Sequence, residues 1–338
     1  MPESLDVARP CKPDRSKRNV YLRHPGWSRA FALSSKLAAK RIIQNLDCTP
    51  NTINWVIYTV PQYAHVAELV AAHPGREKVR QAYYAFDWYQ GYAWDATAVK
   101  RLEGRLFKTC DRIIAVSKRL ADDFAAASGR ACRYLPNAVS ETFLAAAASG
   151  LPRPADIPAA PPGGLLVGCT GQMNNSYDWD LIESLAKARP EDLFVFVGEI
   201  QEAQPAALNR MDRVLQLPNV RAIGPRPHQT LPAYLQSFDV CLNPLKITPF
   251  NDRRSPLRLY DYLTTGKPII STAVSEAYCH SPHITIVDGA PAAAAALAAI
   301  QRGQHAVAVN ERRAYIQSNT WPVRASQLVS ILQGQKEE

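Results

Sequence analysis

Short apolar runs alternate with stretches of helical periodicity along this chain. WVIYTV (55–60) is almost continuously apolar and rich in β-branched and aromatic residues, the pattern of a strand buried on both faces. Similar runs recur at 79–87, 112–117 and 132–139, and again at 164–171, 193–198, 219–224, 239–245, 267–272 and 284–288. Between them, apolar residues three and four apart predict helices over 63–72, 96–110, 118–128, 178–190, 231–238, 257–266, 291–303 and 321–333. Gly129 and Gly266 stand at the ends of two of these, where a left-handed residue closes a helix. Strand and helix in regular alternation predict open parallel sheets covered by helices. The alternation is interrupted once, by the Pro-, Gly- and Ala-rich segment 144–163. The expectation is therefore an α/β chain of two Rossmann-like domains, 19–143 and 164–318, joined by that linker and followed by a helix and tail at 319–338. Ligands bind such sheets at the C-terminal ends of the strands, so two facing sheets make a substrate cleft between them.

The N-terminus departs from this plan. Residues 1–18 are polar and basic and read as a disordered lead, 18–25 as a short strand, and 27–46 as an amphipathic helix. Trp27, Phe31, Leu37 and Ile42 share one broad side of that helix, with Arg29, Lys36 and Lys40 at near-helical spacing. Such a helix packs on a sheet or lies on a membrane surface. No apolar run approaches the roughly 20 residues of a membrane span, and the start has no signal-peptide core, so the expected location is cytoplasmic. The seven cysteines are odd in number, widely spaced and in no CxxC pattern, which predicts reduced thiols and no zinc site.

Charge changes the picture when it is divided. Residues 1–150 hold 22 Lys/Arg against 13 Asp/Glu, whereas 151–338 hold 17 of each. The whole surplus of nine positive charges sits in the first half. It attracts an anionic partner, such as a diphosphate-linked acceptor or the anionic inner face of a membrane, with which the chain would associate peripherally. A solvated basic face accounts for it as well. No nucleic-acid motif accompanies it, so nucleic acid is not an expected partner.

The strongest chemical signal is SPLRLYDYLTTGKPIIST (255–272). Ser255 and Pro256 are sound residues for a helix start. The exposed N–H groups and partial positive charge of that end favour phosphate. Arg258 in the first turn adds a fork of donors for phosphate oxygens. Asp261, three residues on, shares its face and can accept from ribose hydroxyls. A surface helix with an Arg–Asp pair explains the same residues.

This segment resembles the donor-binding stretch of GT-B glycosyltransferases, approximately sPxKxYEYLAxGKPVVsT. The likeness extends further. DRIIAVSKRLADDF (111–124) and YLPNAVSETF (134–143) are similar to the family's first-domain motifs, NVRAIGPRPHQTLPAYLQSFDVCLNPL (219–245) to its second-domain motifs, and SNTWPVRASQLVSIL (318–332) to its ending. Bacterial envelope and exopolysaccharide transferases, of the teichuronic-acid and xanthan glucuronosyltransferase kinds, resemble it most. The resemblance implies a nucleotide-sugar donor and a glycan or lipid-linked acceptor. It implies that Arg258 meets the diphosphate, that Asp261 meets the ribose, that Gly171 and Gln172 bring backbone N–H groups to phosphate, and that Gly224 and Pro225 line the base pocket, with Ser255 at the helix start. Arg258 and Asp261 replace the family's Lys and Glu. The family's opening strand and acceptor loop have no recognisable counterpart here.

Retaining members carry a second acid eight positions before the ribose-binding one. Here that position is Arg253, which favours inversion and hence a general base. The candidate is Asp87, at the end of a predicted strand among the aromatics of YYAFDWYQGY (83–92); Glu103 and His65 are lesser candidates. The pair Asp178 and Asp180 reads as the start of a helix, and no obligatory metal or other cofactor is expected. Two other activities stay open: a nucleotide-sugar 2-epimerase on the same fold, and a non-catalytic scaffold that binds nucleotide.

Overall fold

The computed structural model describes residues 25–45, 53–74, 76–92, 95–201, 205–304 and 308–334, without the side chains of 25–32 and 205–209. The expected lead at 1–18 and the strand expected from residue 18 lie outside the described residues.

The first helix, α1 (Pro25–Gln44), packs against α2 (Ala64–Ala71). Among its described side chains the buried ones are small, Ser35 and Ala39, with Ala38 and Ile42 half-buried beside them. Leu37 was expected to share one side of the helix with Ile42, yet it is 54% exposed. At about 100° per residue, Leu37 stands opposite the Ser35–Ala39–Ile42 stripe that makes the contact. Leu33, one turn before it, is exposed too.

Four parallel strands in chain order form the first sheet: β1 (Asn54–Tyr58), β2 (Val79–Ala85), β3 (Arg112–Ala115) and β4 (Cys132–Tyr134). Their register aligns Tyr58 with Tyr83, Ala85 with Ala115 and Ala115 with Tyr134, so the C-terminal ends share one edge. The connections run through α2, α3 (Ala96–Thr109) and α4 (Lys118–Ser128). The Ser117 hydroxyl accepts from the Leu120 amide to start α4, and Gly129 closes it in the left-handed conformation at φ 65°.

The second sheet has six parallel strands in the order β10-β9-β8-β5-β6-β7. They are β5 (Leu166–Thr170), β6 (Leu193–Val197), β7 (Val220–Ala222), β8 (Val240–Asn243), β9 (Ile269–Thr272) and β10 (Thr285–Val287). The chain steps outward from β5 to β7 and then returns to the other side of β5 at β8. That reversal is a topological switch point, the usual ligand crevice of such sheets. Every residue of β5, β6, β8 and β9 is buried. Helices α6 (Trp179–Ala188), α7 (Pro205–Leu215), α8 (Leu231–Ser237), α9 (Leu257–Thr265), α10 (Ser275–Tyr278), α11 (Gly289–Gln301) and α12 (Val309–Gln317) accompany it.

Two crossings join the domains. The expected linker begins inside α5 (Glu141–Ala148), which packs on α8 and α9, and then continues without helix or strand to β5. The last helix, α13 (Trp321–Gln333), turns back to the first domain. There Ile331 and Leu332 complete a small core with Ala82, Tyr84, Ile114 and Leu135. Each such buried Leu or Ile contributes about 1.5–3 kcal/mol, which holds the two sheets in one orientation. Among the described residues no helix is long and apolar enough to cross a membrane, and the described cysteines are free thiols.

Candidate functional site

The strand ends of the second sheet are packed backbone to backbone. Gly171, directly after β5, has φ +114°, a conformation that side-chain-bearing residues rarely adopt. A Cβ there would lie 2.8 Å from Nη2 of Arg258. A Cβ on Gly198, after β6, would lie 1.9 Å from the Gly171 carbonyl oxygen. The Gly198 amide in turn donates to the Gly224 carbonyl at 3.0 Å. Glycine is what lets these turns approach so closely, leaving Gly171, Gln172 and Pro225 at the surface of the crevice.

Helix α9 opens onto the same place. It begins at Leu257 with Pro256 as its N-cap, and no described side chain caps it. The Leu257 and Arg258 amides, in the first turn, have no acceptor within the helix. Ser255 is not the cap that the sequence suggested. Its hydroxyl is drawn inward to a buried carboxyl, donating to Glu276 Oε1 at 3.1 Å, and its carbonyl accepts from Asn137 Nδ2 at 2.7 Å. Arg258 Nη1 donates to the Tyr177 hydroxyl at 2.7 Å, and the guanidinium lies 4.8 Å from the centroid of the same ring. Tyr177 is itself stacked on Trp179. The guanidinium is thus held from below by an aromatic pair and covered by Gly171. Asp261, one turn later, is half-buried, and no described side chain donates to its carboxylate. Burial pushes that carboxyl up to about 7, with the charge of Arg258 opposing.

Asp87 belongs to a different cluster, two residues beyond β2 on the first domain. It accepts from the Trp88 amide at 2.9 Å and from the Tyr92 hydroxyl. The second domain faces it with residues 250–254. Arg254 Nε lies 3.7 Å from Asp87 Oδ1. Arg253 covers the Trp88 ring at 4.8 Å and pairs with Asp123 at 2.5 Å. The Phe250 ring meets Tyr92 edge-on, with centroids 5.4 Å apart. Glu103 lies fully buried beneath this loop, accepting from Gln90 Nε2 at 2.6 Å and from the Tyr83 hydroxyl at 3.1 Å; burial raises it to about 6. It anchors the loop. His65 pairs with Glu68, which Arg105 also holds. Asp178 caps α6 by accepting from the Leu181 amide at 3.0 Å, and Asp180 pairs with Arg210.

Comparison with known proteins bears on the second domain most directly. The family model described as "Glycosyl transferases group 1" matches residues 164–302. Residues 164–302 are similar to that family's domain. A putative teichuronic acid biosynthesis glycosyltransferase, TuaH of Bacillus subtilis strain 168, is 31% identical over 112 residues, 32% of this chain and 27% of that protein. The chain therefore spans just over a quarter of that curated relative. The two domains together have the GT-B fold. The structure of Anabaena HepE in complex with UDP superposes with a TM-score of 0.66 over 92% of this chain and 84% of that one, at 13% identity. A glycosyltransferase from Rickettsia africae ESF-5 gives 0.66 over 93% and 82%, at 14% identity. Sucrose-phosphate synthase from Thermosynechococcus elongatus gives 0.63 over 90% and 79%, at 17% identity.

Within residues 164–302 the fold brings Gly171, Gln172, Arg258 and Asp261 together at the strand ends of the second sheet, with the Gly224 turn joined to them through Gly198. Three participants escaped the sequence. Gly198 was visible only as a strand-ending glycine, Tyr177 carried no signal for contact with a residue 81 positions away, and Glu276 stood alone in a polar stretch. Glu276 is buried where the two domains meet, accepting from Tyr134 of the first domain at 2.8 Å as well as from Ser255.

Proposed function

We propose that the chain transfers a sugar from a nucleotide-diphosphate donor to a glycan acceptor in cell-envelope or exopolysaccharide synthesis. The observation that carries this is the crevice at the switch point of the second sheet. There a fixed guanidinium, the open start of α9, glycine turns and an unengaged carboxylate stand together. The helix start and Arg258 suit a diphosphate, and Asp261 suits a ribose diol. Solved neighbours of the same fold hold UDP. The acceptor of this reading is lipid-linked. The surplus positive charge of the first half and the exposed Leu33 and Leu37 of α1 support a peripheral position on an anionic membrane face. Arg253 in place of an acid supports inversion, with Asp87 as the base that takes the acceptor hydroxyl's proton.

The test is thermal stabilisation by UDP-, GDP-, ADP- and TDP-sugars. A ligand of the folded state at a hundred times its Kd adds about 2.7 kcal/mol of stability. One nucleotide should raise Tm in the wild type and raise it markedly less in Arg258→Ala. No rise with any of the four, from folded protein, would overturn the donor site.

A further inference from the structure

Two adjacent arginines of the second domain reach the Asp87 loop and are used differently. The Arg253 guanidinium is spent. Its Nε donates to Asp123 at 2.5 Å, its Nη1 to the Pro249 carbonyl at 2.9 Å, and its flat face covers Trp88. The Arg253 side chain is 17% exposed, that of Arg254 39%. Among the described residues no acceptor lies within hydrogen-bond distance of the Arg254 guanidinium. Its nearest approach to a carboxylate, Nε to Asp87 Oδ1, is 3.7 Å, too long for a hydrogen bond. Asp87 does not depend on it, because the Trp88 amide and the Tyr92 hydroxyl already donate to its two oxygens. Yet Arg254 is not a loose surface arginine. Its guanidinium is laid over the Phe250 ring, 4.9 Å from the centroid. That ring is itself held, edge-on to Tyr92, 6.4 Å from Trp88, and against Gly91, where a Cβ would come within 2.5 Å of it. A guanidinium backed by a ring, with its terminal nitrogens unengaged, is prearranged to grip an anion through two parallel N–H donors.

We propose that Arg254 binds an anionic group of the acceptor, a sugar carboxylate or a phosphate, beside the hydroxyl that Asp87 deprotonates. It rests on the transferase reading above and adds the charge of the substrate that the mouth between the domains selects. Asp87 makes that selection sharp. Without Arg254 a second negative charge beside the Asp87 carboxylate is repelled, so the arginine decides whether a charged or a neutral sugar is preferred. A guanidinium that only braced the domain seam would act on stability and on all sugars alike. The two roles therefore separate by ligand charge.

The experiment measures the affinities of glucuronate, glucose 1-phosphate and glucose for the full chain, with the preferred nucleoside diphosphate saturating so that Arg258 is already occupied. It compares wild type, Arg254→Gln and Arg254→Lys, and measures the affinity of the nucleoside diphosphate separately in each. Wild type should bind one of the two anionic sugars about tenfold more tightly than glucose, the scale of one charge-assisted contact. Glucuronate ahead assigns a carboxylate, and glucose 1-phosphate ahead a phosphate. Arg254→Gln should lose the preference with nucleotide affinity unchanged, and Arg254→Lys, which keeps the charge without the fork, should keep part of it. Equal affinity for charged and neutral sugars in the wild type, no measurable binding of any of the three, or a preference that survives in Arg254→Gln would overturn the proposal while leaving the donor site standing. So would a Gln variant that loses nucleotide and anionic sugar equally, which would assign Arg254 to the donor's diphosphate. A folded wild type that binds no nucleotide overturns the reading beneath the proposal, a result visible before any sugar is added.

Discussion

The two domains follow one plan and end differently. Both are parallel sheets whose strand ends face a crevice. In the second, the polar groups at that edge are prearranged and partly uncommitted: the first turn of α9 lacks a cap, and the Asp261 carboxylate lacks a donor among the described side chains. In the first, the corresponding edge is occupied by the other domain. Asp87 faces Arg254, Trp88 lies under Arg253, and Tyr92 meets Phe250. The sheets differ in the same sense. Four strands of the second are wholly buried, whereas β1 of the first is an edge strand with Ile57 36% exposed. Polar groups held in place without partners mark where a ligand completes the hydrogen bonding. Groups satisfied across a domain boundary mark a surface that changes when the domains part. The edge of the second sheet is therefore prearranged with open polar groups, and the edge of the first is engaged by residues 250–254.

The sharpest way to break this contrast is Asp87→Asn. If Asp87 takes the acceptor's proton, turnover falls by about 10²–10⁴-fold while donor affinity is unchanged. Rates within a few-fold of wild type, measured with saturating acceptor, would remove Asp87 from the chemistry and leave Arg254–Asp87 as a domain contact. Arg258→Ala should do the opposite. Losing a charged fork to phosphate costs donor affinity about 10–100-fold, as calorimetry would show, and the Asp87 side is untouched.

What the sequence made legible follows the same division. The buried strands were plain because continuous β-branched runs have few alternative uses, and Arg258 and Asp261 share a face because they are three apart on a helix with a clear apolar side. Helix α12, VNERRAYIQ, was not foreseen. Its stripe is weak, and it is held by the buried Arg312, which donates to the His283 and Gly266 carbonyls. Leu37 was misplaced because periodicity gives an apolar side but not which side a neighbour of small residues will take. Tyr177 and Gly198 reach the crevice only through the folded sheet, and pairwise spacing carries no trace of that.

Asp261 sharpens the comparison through pH. Burial pushes its carboxyl up to about 7, with the charge of Arg258 opposing. Ribose hydroxyls donate to the ionised form, so donor binding should strengthen as pH rises and weaken by about tenfold at pH 6 relative to its plateau. Asp261→Asn should bind less tightly at pH 8 and show no such slope. A wild type whose donor affinity stays flat from pH 6 to 8 would mean that this carboxylate does not meet the ligand.

The smallest effect expected lies at the seam itself. Glu276 is buried among Tyr134 and the Lys118 amide of the first domain and Ser255, Tyr260 and Cys279 of the second. Burial pushes its carboxyl up to about 7 against an ordinary 4.5, with hydrogen bonds from Tyr134 and Ser255 opposing. A folded-state value above the unfolded one means that the folded protein holds a proton the unfolded chain has released. Stability from this group is therefore full below about 4.5 and is lost as pH rises to about 7. Glu103, raised to about 6, slopes the same way, while His280, lowered to about 4, slopes oppositely, so the wild-type curve alone does not isolate the group. Glu276→Gln does. The amide oxygen still accepts from Tyr134 and Ser255 but binds no proton. Between pH 5 and pH 8 the variant's Tm should fall less than the wild type's. Parallel Tm curves across that range would show that the seam is held by an ionised carboxylate, and that its strength does not depend on the proton.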